Sequence, residues 1–151
     1  MFSLEKIVND TSVGIFAIQE SHMLKAGSIK FQNSSNYQIY EKIRSLKSGG
    51  GLVLGVLNDL NPVWIRDGED RVEAMTIQIS VQNQSISIIN AYGPQEYDNY
   101  DKKMLFWKYL DDEVFNCQKR GTGCMIVMDS NAWLGSDIIK KDPHSQNKNG
   151  L

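Results

Sequence analysis

The stretch GIFAIQESH at residues 14–22 joins an apolar run to a carboxylate. A short apolar run bounded in this way predicts a buried β-strand. A second stretch of the same kind, CMIVMDSN, occupies residues 124–131. An acidic side chain at the end of a buried strand is well placed to hold a cation. Glu20 and Asp129 are therefore the first candidates for a functional site.

A third apolar segment, IINAYGP at residues 88–94, lies between these two and carries Tyr92 near its end. Strand ends that carry Glu20, Tyr92 and Asp129 favour a hard metal ion facing a phosphate group, because such ions prefer oxygen ligands. Each residue also has an ordinary structural interpretation. These are a surface glutamate at a strand end, a buried tyrosine with a locally bonded hydroxyl, and an Asx turn.

Five motifs resemble, in order along the chain, those of the endonuclease/exonuclease/phosphatase superfamily with its DNase-I-like fold. The closer resemblance is to the endonuclease domains of non-LTR retrotransposons. It implies an α+β fold, a two-sheet β-sandwich with flanking helices and an active site at one end of the sheets. The motifs are Gln-Glu-Ser-His at 19–22, Gly-Gly at 50–51, Asn-x-Tyr-x-Pro at 90–94, Asp-x-Asn at 129–131, and Asn-Gly at 149–150 followed by Leu151.

The resemblance implies a Mg²⁺-dependent phosphodiester hydrolase, for which Mn²⁺ could substitute. Glu20 would bind the metal ion. Tyr92 would offer its hydroxyl to the phosphate, and Asp129 would orient or activate the attacking water. Asn131 would hydrogen-bond a phosphate oxygen, since its amide donates without adding a negative charge.

Two further residues are expected to support the site. Asn90 would brace the strand end that carries the tyrosine. Glu73 lies near the position where the DNase branch supports its catalytic histidine, and a purely structural role is equally open. His22 could contact DNA, although capping of the next loop is favoured. The run Gly49-Gly50-Gly51 lacks the spacing of a phosphate-binding loop and predicts a tight bend into a strand.

The resemblance also implies that residues 1–151 form one domain that lacks parts of the family fold. Family domains begin with a strand that carries an asparagine and close with Ser-Asp-His, and neither motif occurs in this sequence. We therefore expect an incomplete copy without the general-base histidine. Two alternatives stay open: a non-catalytic remnant that at most binds a metal or a partner, and a phosphodiesterase of the inositol-phosphate or sphingomyelin type.

By the same resemblance the substrate is DNA, and the chain is part of a larger polyprotein with a reverse transcriptase, acting in the nucleus. The composition gives less support, because 16 basic against 18 acidic residues leave a net charge of -2. That balance counts against tight DNA binding by this chain alone. The sequence shows no signal-peptide pattern and no apolar stretch of membrane-spanning length. Two cysteines without paired spacing favour a reducing, intracellular compartment.

The remaining patterns predict the order of the elements. A helix is expected over residues 3–10, with strands over 14–18, 37–40, 52–57 and 124–128. Residues 71–81 and 85–92 alternate in the manner of an antiparallel hairpin with one solvated face. A helix should start after Asp98 or Asn99. Its buried stripe would comprise Tyr100, Met104, Trp107, Leu110, Val114 and Cys117.

Overall fold

The computed structural model describes residues 4–23, 25, 27, 29, 34–44, 50–69 and 71–131. Within these residues the chain forms two helices and seven strands. None of the described helices is long and apolar enough to cross a membrane. The elements are α1 Leu4–Thr11, β1 Ile15–Ile18, β2 Tyr37–Lys42, β3 Leu52–Leu57, β4 Val63–Asp67, β5 Ala74–Val81, β6 Gln84–Tyr92, α2 Tyr100–Arg120 and β7 Gly123–Asp129.

The strands form two sheets, so the expected two-sheet α+β architecture is confirmed. The first sheet has the order β1-β3-β2 and is antiparallel. The second has the order β4-β5-β6-β7, in which β7 runs parallel to β6. Parallel neighbours need a crossover connection, and α2 supplies it. The crossover returns the chain so that β6 and β7 end side by side.

The main core lies between the two sheets. Alternate residues of β3 face alternate residues of β5 and β6, because successive side chains of a strand point to opposite faces. The cluster is fully or almost fully buried, and burying each of these side chains stabilises the fold by about 1.5–3 kcal/mol. Its members are Leu52, Leu54, Val56, Met75, Ile77, Ile79, Ile88 and Tyr92.

A second core lies on the opposite face of the second sheet, under α2. It contains Ala74, Ile89 and Ala91 from the sheet side, with Phe106 and Leu110 from the helix. The expected antiparallel hairpin is therefore confirmed, whereas the expectation that one of its faces is solvated was wrong over most of its length. The alternating polar positions of β5 are partly buried by the helix, because Thr76 bonds to side chains of α2.

Helix α2 begins where the sequence predicted, since the Asn99 side chain accepts a hydrogen bond from the Lys102 N–H at 2.9 Å. The predicted buried stripe was wrong over its first half, because Tyr100 is 73% and Met104 is 48% exposed. The face of α2 that packs against the second sheet includes charged residues, and their partners lie in other parts of the fold. The buried residues of α2 are Lys103, Phe106, Tyr109, Leu110, Glu113 and Cys117.

Two edge strands also differ from expectation. The sequence analysis did not predict β4, whose consecutive apolar residues Val63 and Trp64 show no alternation and are exposed in the structure. The prediction of β7 as a buried strand was right about the strand and wrong about its burial. Among the described residues β7 is the last strand of its sheet, and Met125 is 50% exposed. Strand β1 is half-buried rather than buried.

Candidate functional site

The three strand ends singled out in the sequence meet at one end of the two sheets. The register of β6 and β7 pairs Tyr92 with Asp129. Just beyond this pair, the Gly93 N–H donates to the Asp129 carbonyl at 2.7 Å. A Cβ on Gly93 would lie 2.4 Å from the Ser130 carbonyl oxygen, so only glycine fits this close approach. The strand pairing thus fixes how the tyrosine and the aspartate lie relative to each other.

Glu20 approaches Tyr92 and Asp129 from the side of the first sheet. It follows the end of β1, and its Oε1 accepts a hydrogen bond from the Tyr92 hydroxyl. The residue is exposed and has a φ of 52°, in the left-handed region that non-glycine residues rarely occupy. A strained backbone conformation of this kind is often found at functional sites.

Asp129 and Asn131 form a compact turn after β7. The Asn131 N–H donates to Asp129 Oδ1 at 2.9 Å, which makes an Asx turn. The Asn131 Nδ2 donates to the Gly93 carbonyl at 2.8 Å. The ordinary structural interpretation of this motif therefore holds, and the turn also lies beside Tyr92.

The Tyr92 hydroxyl is a neutral hydrogen-bond donor at any ordinary pH. Burial raises its pKa to about 12, together with the hydrogen bond to Glu20 and the negative charges of Glu20 and Asp129. A hydrogen bond with the Asn131 side chain offsets part of that rise. A neutral phenol can donate to an anionic oxygen without electrostatic repulsion.

Asn90 lies in β6 of the second sheet, directly beneath the site, and its side chain bonds across to the first sheet. Its Nδ2 donates to the Val53 carbonyl of β3 at 2.9 Å, with a longer 3.4 Å contact to the Ile18 carbonyl of β1. Its Oδ1 accepts from Gln19 Nε2 at 2.6 Å. The side chain is fully buried. Asn90 therefore holds the strand that ends in Tyr92 against the segment that presents Glu20.

Glu73 braces the entry into β3 and contacts the site only through its backbone, whose carbonyl accepts from the Tyr92 N–H at 2.8 Å. Its carboxylate accepts from the Gly51 N–H and pairs with Arg44 at 2.8 Å. A Cβ on Gly50 would lie 2.5 Å from Glu73 Oε1, and Gly50 has a φ of 77°. The predicted tight bend is confirmed at Gly50 and Gly51, while Gly49 lies outside the described residues.

A cleft of about 880 Å³ opens beside Glu20 and Tyr92. His22 lies at its wall, and the His22 N–H donates to the Gly50 carbonyl at 2.8 Å. Asp129 and Asn131 lie next to Tyr92 but outside the lining of the cleft. Its basic side chains are Lys42, Arg44, Arg71 and Lys102, and its acidic ones are Glu20, Glu69, Glu73, Asp98 and Asp101.

The sequence analysis missed Gln95. Its Nε2 donates to the hydroxyl of Tyr92, so it belongs to the hydrogen-bonded centre of the site. Only its place just after the Asn-x-Tyr-x-Pro motif could have drawn attention to it.

The donor atoms at the site fit Mg²⁺, which prefers oxygen and is often held by one or two carboxylates with water completing its shell. Glu20 supplies the exposed carboxylate, and Asp129 adds a second in the neighbouring turn. Among the described residues, no group of three or more His, Cys, Asp or Glu side chains could hold a metal ion. An ion here would therefore depend on water and substrate oxygens as well as on Glu20.

No protein-family model matches the chain, and no curated protein matches its sequence. Solved structures do match its fold. The endonuclease domain of TRAS1, a telomere-specific non-LTR retrotransposon, superposes over 87% of this chain with a TM-score of 0.55 and 14% identity. The catalytic domain of human Nocturnin superposes over 88% with a TM-score of 0.63 and 12% identity. ANGEL2, a 2′,3′-cyclic phosphatase, superposes over 89% with a TM-score of 0.63 and 16% identity.

The chain spans about half the length of these structures, namely 54%, 57% and 44% of them in the same order. At these identities the likeness concerns the fold. The chain has a DNase-I-like fold, as the sequence resemblance implied.

Proposed function

We propose that this chain carries the site of a Mg²⁺-dependent phosphodiester hydrolase that cleaves DNA, of the kind encoded by non-LTR retrotransposons. The observation that carries the proposal is the meeting of Glu20, Tyr92, Asp129 and Asn131 at one end of the two sheets. The likeness to the TRAS1 endonuclease domain supports DNA as the substrate. A larger polyprotein that includes a reverse transcriptase and acts in the nucleus is proposed from the sequence resemblance alone.

Glu20 would hold the metal ion. Its carboxylate is exposed, and the Tyr92 hydroxyl engages one of its two oxygens. A divalent ion at this place would stabilise the negative charge that develops on the phosphate during hydrolysis.

Tyr92 would donate its hydroxyl to a non-bridging phosphate oxygen. The raised pKa keeps the proton on the phenol, so the group can donate throughout the neutral range. The aromatic ring belongs to the core between the sheets, which fixes the place of the hydroxyl. A donor held in place before the substrate arrives loses little energy to reorganisation during the reaction.

Asp129 would orient the attacking water, and Asn131 would donate to a phosphate oxygen. The Asn131 amide donates to the Gly93 carbonyl at 2.8 Å and bonds with the Tyr92 hydroxyl, so it lies beside the phenol that would face the phosphate. The Asx turn holds the two side chains in a fixed relation. Attack of water on phosphorus would break a phosphodiester bond and leave a 3′-hydroxyl and a 5′-phosphate.

The test is hydrolysis with Mg²⁺ of supercoiled plasmid and of bis(p-nitrophenyl) phosphate by the wild type and by Glu20→Gln and Asp129→Asn. Asp111→Asn, an exposed change on α2, is the matched control. We expect slow hydrolysis by the wild type and the control, because the Ser-Asp-His that would supply a general base does not occur in this sequence, and we expect its loss in both site variants. Equal rates in all four proteins would show a contaminating nuclease and contradict the proposal.

Substrates of other classes separate the alternatives. Sphingomyelin, inositol phosphates and a 2′,3′-cyclic nucleotide should be cleaved more slowly than DNA. Faster cleavage of one of them would keep the reaction class and overturn DNA as the substrate. Failure of the wild type on every substrate would favour a non-catalytic remnant.

A further inference from the structure

Besides its hydrogen bond with the Asn131 side chain, the Tyr92 hydroxyl takes part in two hydrogen bonds of opposite direction. It accepts from Gln95 Nε2 and donates to Glu20 Oε1. A phenol has one proton, and an amide nitrogen can only donate. The amide of Gln95 therefore prevents the proton of Tyr92 from pointing toward it. The proton is directed to the side on which Glu20 lies.

Gln95 is held rigidly enough for this task. Its N–H donates to Asp98 Oδ2 at 2.8 Å, and its carbonyl accepts from the Asp98 N–H at 3.0 Å. Asp98 is held in turn by Lys102 Nζ at 2.7 Å. Burial alone would raise the pKa of Asp98, but the hydrogen bonds from Lys102 and Gln95 outweigh it and lower that pKa. Asp98 thus stays charged and fixes the backbone of Gln95 at the start of α2.

We infer that Gln95 is a positioning residue, which directs the proton of Tyr92 toward the substrate phosphate. This inference rests on the proposed function. A phosphate oxygen accepts hydrogen bonds, as Glu20 Oε1 does, so it can replace that oxygen as the acceptor from Tyr92. The amide of Gln95 still donates to the Tyr92 oxygen while the phosphate oxygen replaces Glu20 Oε1 as the acceptor. The phosphate then receives a donor that is already oriented.

The experiment compares Gln95→Leu and Gln95→Glu with the wild type in the hydrolysis of bis(p-nitrophenyl) phosphate. Leu removes the amide donor, and Glu keeps the shape but presents an acceptor that competes for the Tyr92 proton. We expect kcat to fall about tenfold in both variants with KM unchanged. Gln118→Leu, an exposed change near the other end of α2, is the control and should behave as the wild type.

Two further measurements separate positioning from a merely structural role. The double variant Gln95→Leu/Tyr92→Phe should be no slower than Tyr92→Phe alone, because the amide acts through the hydroxyl. The side-chain amide signals of Gln95 in a ¹H–¹⁵N NMR spectrum should shift when Tyr92 is changed to Phe. This second measurement needs neither metal nor activity.

The outcomes distinguish the two proposals. If the wild type is active and Gln95→Leu is equally active, the positioning role is overturned and the proposed function stands. The same follows if the Gln95 amide signals do not shift in Tyr92→Phe. Additive losses in the double variant would also overturn it. A wild type without hydrolysis would overturn the proposed function, and the role of Gln95 in catalysis would fall with it.

Discussion

Glu20 and Tyr92 are 72 residues apart in the chain and come from different sheets, and the hydroxyl of one donates to the carboxylate of the other. The contact therefore exists only when both sheets are packed. It makes the site depend on the tertiary fold, so a variant that separates the two sheets would also lose the site.

Replacing Glu20 by Gln should remove most of the affinity for Mg²⁺ or Mn²⁺. An amide keeps the shape and one oxygen acceptor but loses the charge that a hard cation requires. Isothermal titration calorimetry measures the affinity directly, and we expect weak binding in the wild type. Equal affinity in the variant would remove Glu20 from the set of ligands. Asp111→Asn is again the control.

Replacing Glu20 by Gly should stabilise the fold. The left-handed backbone at φ 52° costs a glutamate about 1 kcal/mol that glycine avoids, although glycine also makes the unfolded chain more flexible. We expect a gain of about 0.5 kcal/mol in urea denaturation, together with lost metal binding. Ser12→Gly, at a φ of 48° between α1 and β1, should gain similarly and keep metal binding. A loss of stability in Glu20→Gly alone would show that its carboxylate supports the fold.

Asn90→Ala should be strongly destabilising. The change leaves the buried Val53 carbonyl without its 2.9 Å partner and opens a cavity between the sheets. An unsatisfied buried polar group costs about 1–3 kcal/mol, and we expect about 3 kcal/mol in total from chemical denaturation. Asn58→Ala removes an exposed side-chain bond to the Ser35 carbonyl and should cost less than about 0.5 kcal/mol. Similar losses in the two variants would contradict the bridging role of Asn90.

The pKa of Tyr92 predicts a loss of stability in strong alkali. The folded protein holds the phenolic proton up to about pH 12, whereas the unfolded chain releases it near the ordinary value of 10.0. The stabilisation is therefore complete below pH 10.0 and is lost as the pH rises through about 12. Tyr92→Phe has no proton to lose, so the stability difference between wild type and variant should shrink over this window. Urea denaturation at several pH values measures it, and a constant difference would contradict the raised pKa.

The strand ends and the order of the main elements could be predicted from the sequence because they depend on local patterns. The apolar runs before Glu20 and Asp129 are strands, and they end where the charge appears. The register of β6 and β7 then brings Asp129 beside Tyr92, which no local pattern encodes. The expectation that these residues converge held because the resemblance supplied the arrangement of the strands.

The buried face of α2 could not be predicted because apolar spacing ignores polar partners. Glu113 is fully buried, pairs with Arg66 of β4 at 2.6 Å and accepts from Thr76 of β5 at 2.6 Å. A charged side chain is buried only where the fold supplies such partners, and these partners come from distant parts of the chain. Gln95 escaped notice for a different reason: it is three residues from Tyr92, but no sequence pattern specifies that its side chain turns back to the tyrosine hydroxyl.

Selection would act on Glu20 through catalysis and on Asn90 through folding. Asn90 is buried in the second sheet and bonded to the first, so we expect a descendant that must fold to keep it whether or not it cleaves anything. Glu20 is exposed and sits in a conformation that glycine would adopt more easily. Among related copies, mutational drift after a loss of catalysis should erase Glu20 early and Asn90 late. A copy that has Asn90 but no Glu20 would therefore be one that folds and has stopped cutting.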